Sequence, residues 1–263
     1  MTGRVVFVGA GPGDPDLITL RGWRALKDAE VVLYDSLVDE HLLLGLEAEL
    51  VSVGKRCGRH SMPQERITDL LVHYALEGKR VVRLKGGDPT LLGRTGEEAL
   101  RLAAAGIPFE IAPGVSSALA APAFAGIPVT HRGIADSVCI VSAHRRGDEN
   151  ELSIPSYSPR TTLVLLMAAQ SARSWLGQLL QRGYPAGLPL AFVTAATTPQ
   201  QSVHVTTVGD AAKNGVTAEL GSPTLAVIGH VVALRDSLAW YGEELCKYGV
   251  GVPASLHPVD CFF

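Results

Sequence analysis

Residues Val5–Asp14 read VVFVGAGPGD. A short apolar run ends in a glycine-rich turn, the pattern of a strand buried on both faces that opens into a loop at its carboxyl end. The loop invites comparison with the dinucleotide fingerprint G-x-G-x-x-G. Gly9 and Gly11 fill the first two glycine positions, but Asp14 stands at the third. That third glycine normally lets the following helix pack close to the strand, so that its N-terminus holds a pyrophosphate. A carboxylate there crowds the packing and repels a diphosphate. The loop therefore favours a ligand without phosphates over a nicotinamide or flavin dinucleotide, and over a turn with no ligand.

Working outward, Val31–Tyr34, Leu50–Val53, Val81–Leu84 and Phe109–Ile111 are further short apolar runs bounded by Gly, Asp or Pro. Helices fit between them. Gln64–Leu76 carries Ile67, Leu70, Leu71 and Tyr74 at helical spacing with Gly78 as a stop, and Glu97–Ala105 ends at Gly106. This alternation predicts a parallel sheet. Ala112–Gly133 is rich in Ala, Pro, Gly and Ser, with a short helix near Ser117–Phe124, and marks a domain junction. Beyond it, Ser137–Ser142, Thr162–Met167, Leu190–Thr194, Ser202–Thr207 and Thr224–Ile228 read as strands, with a helix around Ser174–Gln181. Several follow one another with no room for a helix, which predicts a mixed sheet. The expected domains are 1–112 and 113–238. A tail, 239–263, stays unplaced and reads as disordered from about Glu244.

The 263 residues are 47% hydrophobic, 6% aromatic and formally of net charge -3. The bulk suffices for a large core, and the small charge points to neither nucleic acid nor an acidic membrane surface. The basic residues lack the interleaved aromatics of a nucleic-acid surface. No signal peptide or spanning apolar run is evident. Cys57, Cys139, Cys246 and Cys261 are scattered. Neither a disulfide framework nor a zinc site is expected, which suits a reducing cytoplasm. The histidines are widely spaced, with no i, i+4 pair enclosing an acid, so no metal is expected.

A second loop motif is RLKGGDPTLLGR, Arg83–Arg94. Gly86, Gly87 and Asp88 follow the fourth strand, where open α/β sheets bind ligands. Gly-Gly permits close approach, and Asp88 can accept from hydroxyl or amino donors, or simply cap the turn. Val8–Asp14, Asp35, Gly86–Asp88 and Pro113–Ser117 each follow an expected parallel strand, so all four share one rim. S-adenosylmethionine suits such a rim, since it needs backbone approach and polar contacts and no phosphate cradle. Basic residues gather at loop ends, foremost Lys55, Arg56, Arg59 and His60 in GKRCGRH, then Arg83, Lys85 and Arg94. They read either as a solvated face or as a reader of a small polyanion.

The blocks GAGPGDPDLITLRG, VVLYDSLV, VGKRCGRHSMPQE, GKRVVRLKGGDP, AAAGIPFEIAPGVSSALAAPAFAGIPVTHRG and VTAATTPQQ, in that order, resemble the uroporphyrinogen-III C-methyltransferases, a branch of the tetrapyrrole methylases. The resemblance covers about Gly3–Ala233. It implies an α/β fold of two domains, a parallel-sheet N-terminal domain and a mixed-sheet C-terminal domain, with the active site in the cleft between them. It implies methyl transfer from S-adenosylmethionine, leaving S-adenosylhomocysteine, to two pyrrole β-carbons of uroporphyrinogen III to give precorrin-2, on the way to sirohaem and cobalamin. A polyanionic tetrapyrrole as substrate and a homodimer follow from the same resemblance.

Carried over by position, Asp35 and Lys55 match the family's proposed proton acceptor and donor. Pro12, Gly86, Gly87, Asp88, Leu91, Ser116, Ser117, Met167 and Ala196 match its cofactor contacts. Arg83 and Arg94 match basic residues facing the tetrapyrrole. The chain departs from the family pattern at Thr90, Leu92, Thr95, Leu166 and Cys57, which bears on the shape of the substrate pocket. A methyltransferase of a later precorrin, a nicotinamide or flavin oxidoreductase and a non-enzymatic tetrapyrrole or nucleotide sensor are the rival readings. Asp35 with GKRCGRH speaks against the first, Asp14 against the second, and an acid and base both matched to the family's roles against the third.

Overall fold

The computed structural model describes residues 2–54, 62–144, 152–169, 171–216 and 220–241. Lys55, Cys57, the rest of GKRCGRH and the tail beyond Tyr241 lie outside them. The chain divides into two compact units, the first running to Ser117 and the second beginning at Ala118.

The first unit is built on five parallel strands, β1 (Arg4–Gly9), β2 (Val31–Tyr34), β3 (Glu49–Ser52), β4 (Arg80–Lys85) and β5 (Phe109–Ala112), in the order β3-β2-β4-β1-β5. Strand alternation divides the side chains between two cores. Val6, Val8, Val32, Val82 and Leu84 pack with Trp23 and Leu26 of α1 (Leu20–Lys27). Val5, Phe7, Val31, Leu33 and Val81 pack with Ile67 and Leu71 of α2 (Gln64–Leu76) and Leu102 of α3 (Thr95–Ala104). Helices thus cover both faces, which is why the strands read as continuous apolar runs rather than alternating ones.

The loop after β1 does not lead straight into a helix. Asp14 accepts from the Asp16 N–H and caps a short 3-10 turn, Pro15–Leu17, and α1 starts only after a second cap at Thr19. Close packing of helix on strand occurs later, at Gly22, where a Cβ would stand 2.9 Å from Val8 Cγ1. The part of the fingerprint's third glycine is moved down the chain, and the helix N-terminus is moved off the glycine loop.

In the second unit, α4 (Ser117–Phe124) leads to β6 (Ser137–Ser142), β7 (Thr161–Leu166), α5 (Ala172–Gln181), β8 (Pro189–Thr194), β9 (Ser202–Thr207), α6 (Val208–Asn214) and β10 (Thr224–Ile228). Strand order is β6-β7-β10-β8-β9, with β6 and β7 parallel and the other neighbours antiparallel. The mixed sheet expected from the crowding of strands is present. Its core centres on Trp175, Leu163, Phe192 and Ile228. Trp175 donates its ring N–H to the Ala168 carbonyl at 3.0 Å, so the polar edge of a fully buried ring is satisfied. Trp240 and Tyr241, expected to open an unplaced tail, pack their rings on Phe124, each at 4.9 Å between centroids. Among the described residues, no helix is long and apolar enough to cross a membrane.

Candidate active site

All five strands of the first unit are parallel, so the loops after them share one rim. Three of these loops are locked together by backbone contact. Gly11 and Gly87 exchange backbone hydrogen bonds, with Gly87 N–H to Gly11 O at 2.7 Å and Gly11 N–H to Gly87 O at 3.3 Å. A Cβ on Gly9 would stand 2.5 Å from Gly114 Cα, and one on Gly114 would stand 2.3 Å from Gly87 O. Gly9 and Gly114 are therefore required by each other and by Gly87 O before any ligand is considered, and Gly87 is favoured by its φ of 65. Gly86 differs, since its nearest neighbour in the Cβ direction is Leu37 Cβ at 3.5 Å. A side chain there would meet only ordinary contact, so no backbone clash requires that glycine.

Asp88 joins the lock. Its Oδ2 accepts from the Gly114 N–H at 3.0 Å, and its Oδ1 accepts from the Thr90 N–H and hydroxyl. Partial burial pushes the Asp88 carboxyl up, but the bonds from Thr90, Gly114 and Leu91 outweigh it and hold the group below the ordinary carboxylate value. It is a negative, turn-capping group that fixes the β4 loop to the β5 loop. Asp14 moves the other way: burial raises it, with the charges of Asp16 and Asp39 adding to the effect, against the bond from the Asp16 N–H.

Downstream of Asp88 the backbone is strained. Leu92 and Arg94 both have φ 57, a region costly for residues with a Cβ and concentrated at functional sites. Thr95, a departure from the family pattern, is buried and donates its hydroxyl to the Pro89 carbonyl, which pins the same loop.

Asp35 follows β2 on this rim, and its N–H donates to Leu84 O. Its side chain is 32% exposed, and its Oδ1 accepts from Arg83 Nη2 at 2.5 Å. Arg83 itself is 3% exposed. Its Nη1 donates to the Leu84 and Leu33 carbonyls and its Nε faces Glu98 at 3.4 Å. This is at odds with the substrate-facing place expected for Arg83, because every nitrogen of the guanidinium is already engaged below the rim. Arg94 is half exposed and forms a bidentate pair with Glu97.

Sequence reasoning missed Glu98, which is fully buried and accepts from Lys85 Nζ at 2.8 Å and Gln64 Nε2 at 2.7 Å. Burial, aided by the charge of Arg83, pulls the Lys85 ammonium below its ordinary value against the attraction of Glu98. The signal was present in β4. RVVRLK places Val81, Arg83 and Lys85 on one face of a strand that α2 and α3 cover. Two cations on a covered face call for an acid on the covering helix.

Of the remaining expected positions, Pro12, Leu91, Ser116 and Ser117 are half-buried, and the last two follow the Gly114 turn. Met167 and Ala196 belong to the second unit, where β7 and β8 both run antiparallel to β10. The Ala168 N–H donates to Thr224 O and the Ala195 N–H to Pro223 O, each at 2.9 Å. Met167 and Ala196 thus flank the start of β10 on one rim of that sheet. Met167, Ala195 and Thr197 there have φ 59, 47 and 68. The strained Ala195–Thr197 turn is held by Gln201, which accepts from the Thr197 N–H at 2.8 Å, and by the Tyr241 hydroxyl, which donates to Thr197 O.

Residues 4–212 match the family described as Tetrapyrrole (Corrin/Porphyrin) Methylases. This chain belongs to the tetrapyrrole methylases. A Methanocaldococcus jannaschii protein named uroporphyrinogen-III C-methyltransferase is 45% identical over 241 residues, covering 90% of this methylase and 100% of that protein. Siroheme synthase 2 of Aeromonas hydrophila is 47% identical over 244 residues, 92% of this chain and 52% of that protein. The chain therefore spans about half the length of several curated relatives it matches. The crystal structure of uroporphyrin-III-C-methyltransferase from Thermus thermophilus superposes with TM-score 0.77 at 42% identity, covering 91% of this methylase and 98% of that chain. The Thermus enzyme has also been crystallised with S-adenyl homocysteine. The two-sheet α/β architecture of this chain is the tetrapyrrole methylase fold.

Proposed function

We propose that this methylase transfers methyl groups from S-adenosylmethionine to two pyrrole β-carbons of uroporphyrinogen III, giving precorrin-2 for sirohaem or cobalamin synthesis. The observation that carries the reading is the 45% identity to a uroporphyrinogen-III C-methyltransferase over that protein's whole length. The rim supports it locally. It offers Gly86 without a backbone clash to demand it, half-buried Pro12 and Leu91, and a partly exposed carboxylate at Asp35 held from beneath.

S-adenosylmethionine supplies an electrophilic methyl group, and the pyrrole carbon is electron-rich, so no protein nucleophile is required. The residues chiefly position the reactants. Pro12, Gly86, Gly87, Asp88, Leu91, Ser116, Ser117, Met167 and Ala196 hold the cofactor. Asp88 does so through the loop geometry it fixes. Asp35 stabilises the positive charge that develops on the ring and accepts the proton lost from it. Lys55, outside the described residues, is the proposed proton donor. Arg94 meets substrate carboxylates. Arg83 is reassigned from the substrate to Asp35. The active form is a homodimer in the cytoplasm, with domains over 1–112 and 113–238 and a tail over 239–263.

The test is anaerobic incubation with S-adenosylmethionine and uroporphyrinogen III, read by product mass. Two added methyl groups are expected. Asp35→Asn is expected to slow turnover by a factor on the order of 10²–10⁴ with little change in affinity for S-adenosylhomocysteine. Absence of methylated product with active cofactor binding overturns the substrate assignment. Wild-type turnover in Asp35→Asn overturns the role of that carboxylate.

A further inference from the structure

Beneath Asp35 lies a chain of four charges: Asp35, Arg83, Glu98 and Lys85. Their formal charges sum to zero. Only Asp35 reaches the surface; Glu98 is 0% exposed. Buried ion pairs are weak evidence for stability, because desolvation offsets the attraction, and a well-packed apolar replacement often serves as well. A network of this depth therefore calls for another explanation.

Its connectivity supplies one. Glu98 stands in the first turn of α3 and Gln64 opens α2, the two helices that cover this face of the sheet. Gln64 is itself tied down, since the Thr68 hydroxyl donates to its carbonyl at 3.0 Å. Glu98 thus accepts from two side chains fixed by separate elements, Gln64 and Lys85, and presents the same carboxylate to Arg83 Nε. Through its Nη2 the same guanidinium holds Asp35 Oδ1. A planar guanidinium transmits orientation, because its nitrogens cannot turn independently.

We propose that Glu98 is a positioning residue for the reaction, acting through Arg83 to fix the orientation of the Asp35 carboxylate. The proposal rests on the reading of Asp35 as the reacting carboxylate. Glu98 never touches substrate. It anchors the guanidinium to α2 and α3, so that a carboxylate carried on a loop is held as rigidly as one carried on the sheet.

The test uses variants that keep the buried charge balanced. Lys85→Met with Glu98→Gln removes one charge of each sign and leaves the Arg83–Asp35 pair. Arg83→Lys keeps its charge, leaves Glu98 intact and takes away the guanidinium fork, which provides a second route should the first variant fold poorly. In each, kcat is expected to fall about tenfold to a hundredfold, the cost of misplacing a reacting group by up to about an ångström. KM for the tetrapyrrole and affinity for S-adenosylhomocysteine are expected to stay within about twofold of wild type, since misorientation of Asp35 leaves the binding contacts in place. Each change is then repeated in an Asp35→Asn background, where the further loss is expected to vanish because the group being positioned has gone.

A folded variant with wild-type kcat overturns the proposal. So does a loss that persists undiminished beside Asp35→Asn, the mark of a purely structural role. If Asp35→Asn alone keeps wild-type turnover, the failure lies in the reading of Asp35, and the proposal falls with it.

Discussion

Replacing Gly9 with alanine adds one methyl group at the end of β1, and the structure gives the size of the consequence. The new Cβ would stand 2.5 Å from Gly114 Cα and 2.6 Å from both Gly114 N and Gly87 O. Comfortable contacts of these atoms lie near 3.5 Å, so the loops after β4 and β5 must withdraw by about 1 Å. All three contacted atoms are backbone, and no flexible side chain can move aside. Gly9 is not among the residues with positive φ, so alanine suits its conformation and the penalty is steric. Withdrawal stretches the bonds from Gly87 N–H to Gly11 O and from Ala10 N–H to Lys85 O, now 2.7 and 2.8 Å. Losing one or two such bonds at about 1 kcal/mol each, with overpacking of about 1–3 kcal/mol, predicts a loss of about 2–5 kcal/mol. Urea unfolding at neutral pH measures it, and calorimetry with S-adenosylhomocysteine is expected to show weakened binding in parallel. Gly177→Ala is the control. It lies within α5, its Cβ direction is empty to 4 Å, and it is expected to gain about 0.5–1 kcal/mol. If Gly9→Ala unfolds within about 0.5 kcal/mol of wild type, the three loops are not locked through their glycines and the reasoning fails.

Two further outcomes are expected, both dependent on pH. Hydrogen bonds hold the Asp88 carboxyl below its ordinary value, so its stabilisation is present above the unfolded pKa of about 3.9 and is lost as pH falls through the folded value. Asp88→Asn is expected to cost about 1–2 kcal/mol at pH 7, with the gap from wild type closing below about pH 4; urea unfolding at pH 7 and pH 3 tests this, and an unchanged gap refutes it. Tyr184 is pushed up to about 12 by burial, with Cys139 and Tyr157 adding to the shift. Its neutral ring stabilises the fold fully below the unfolded value of about 10 and ceases to do so as pH rises through about 12. Melting temperatures taken at pH 9 and pH 11 are expected to fall further for wild type than for Tyr184→Phe, and equal falls contradict the assignment.

Much of this protein could be read locally. The apolar runs bounded by Gly and Asp are the strands, and α2 is Gln64–Leu76 as its periodicity predicts. Those signals survive in one dimension because a strand buried on both faces and a helix buried on one impose their periods on neighbouring residues. The rim was legible too, since parallel strands oblige the loops at their carboxyl ends to meet. Asp14 argued against a dinucleotide through local geometry, and the structure gives that aspartate a local task as the cap of a 3-10 turn. The second unit's sheet was readable as mixed because its strands leave no room for crossovers, although α6 between β9 and β10 went unread.

The roles of the polar groups depended on contacts that no local window contains. Glu98 meets Lys85 and Gln64 from 13 and 34 residues away, and Arg83 meets Asp35 across 48. In the sequence, Arg83 and Lys85 read as part of a basic cluster open to solvent or substrate. In the fold they are buried, because α2 and α3 close over the face of β4 that carries them. The glycines show the same limit. Gly87 read as a place for close approach of a ligand, yet its φ of 65 already favours glycine, and Gly9 and Gly114 are bare because each other's backbone and Gly87 O fill the space their side chains would need. The sequence by itself determined the strands, the shared rim and the kinds of group gathered on it, because these follow from periodicity and direction along one chain. Only the tertiary structure decided which of those groups face outward to act and which are spent holding the others, because that depends on what packs against them.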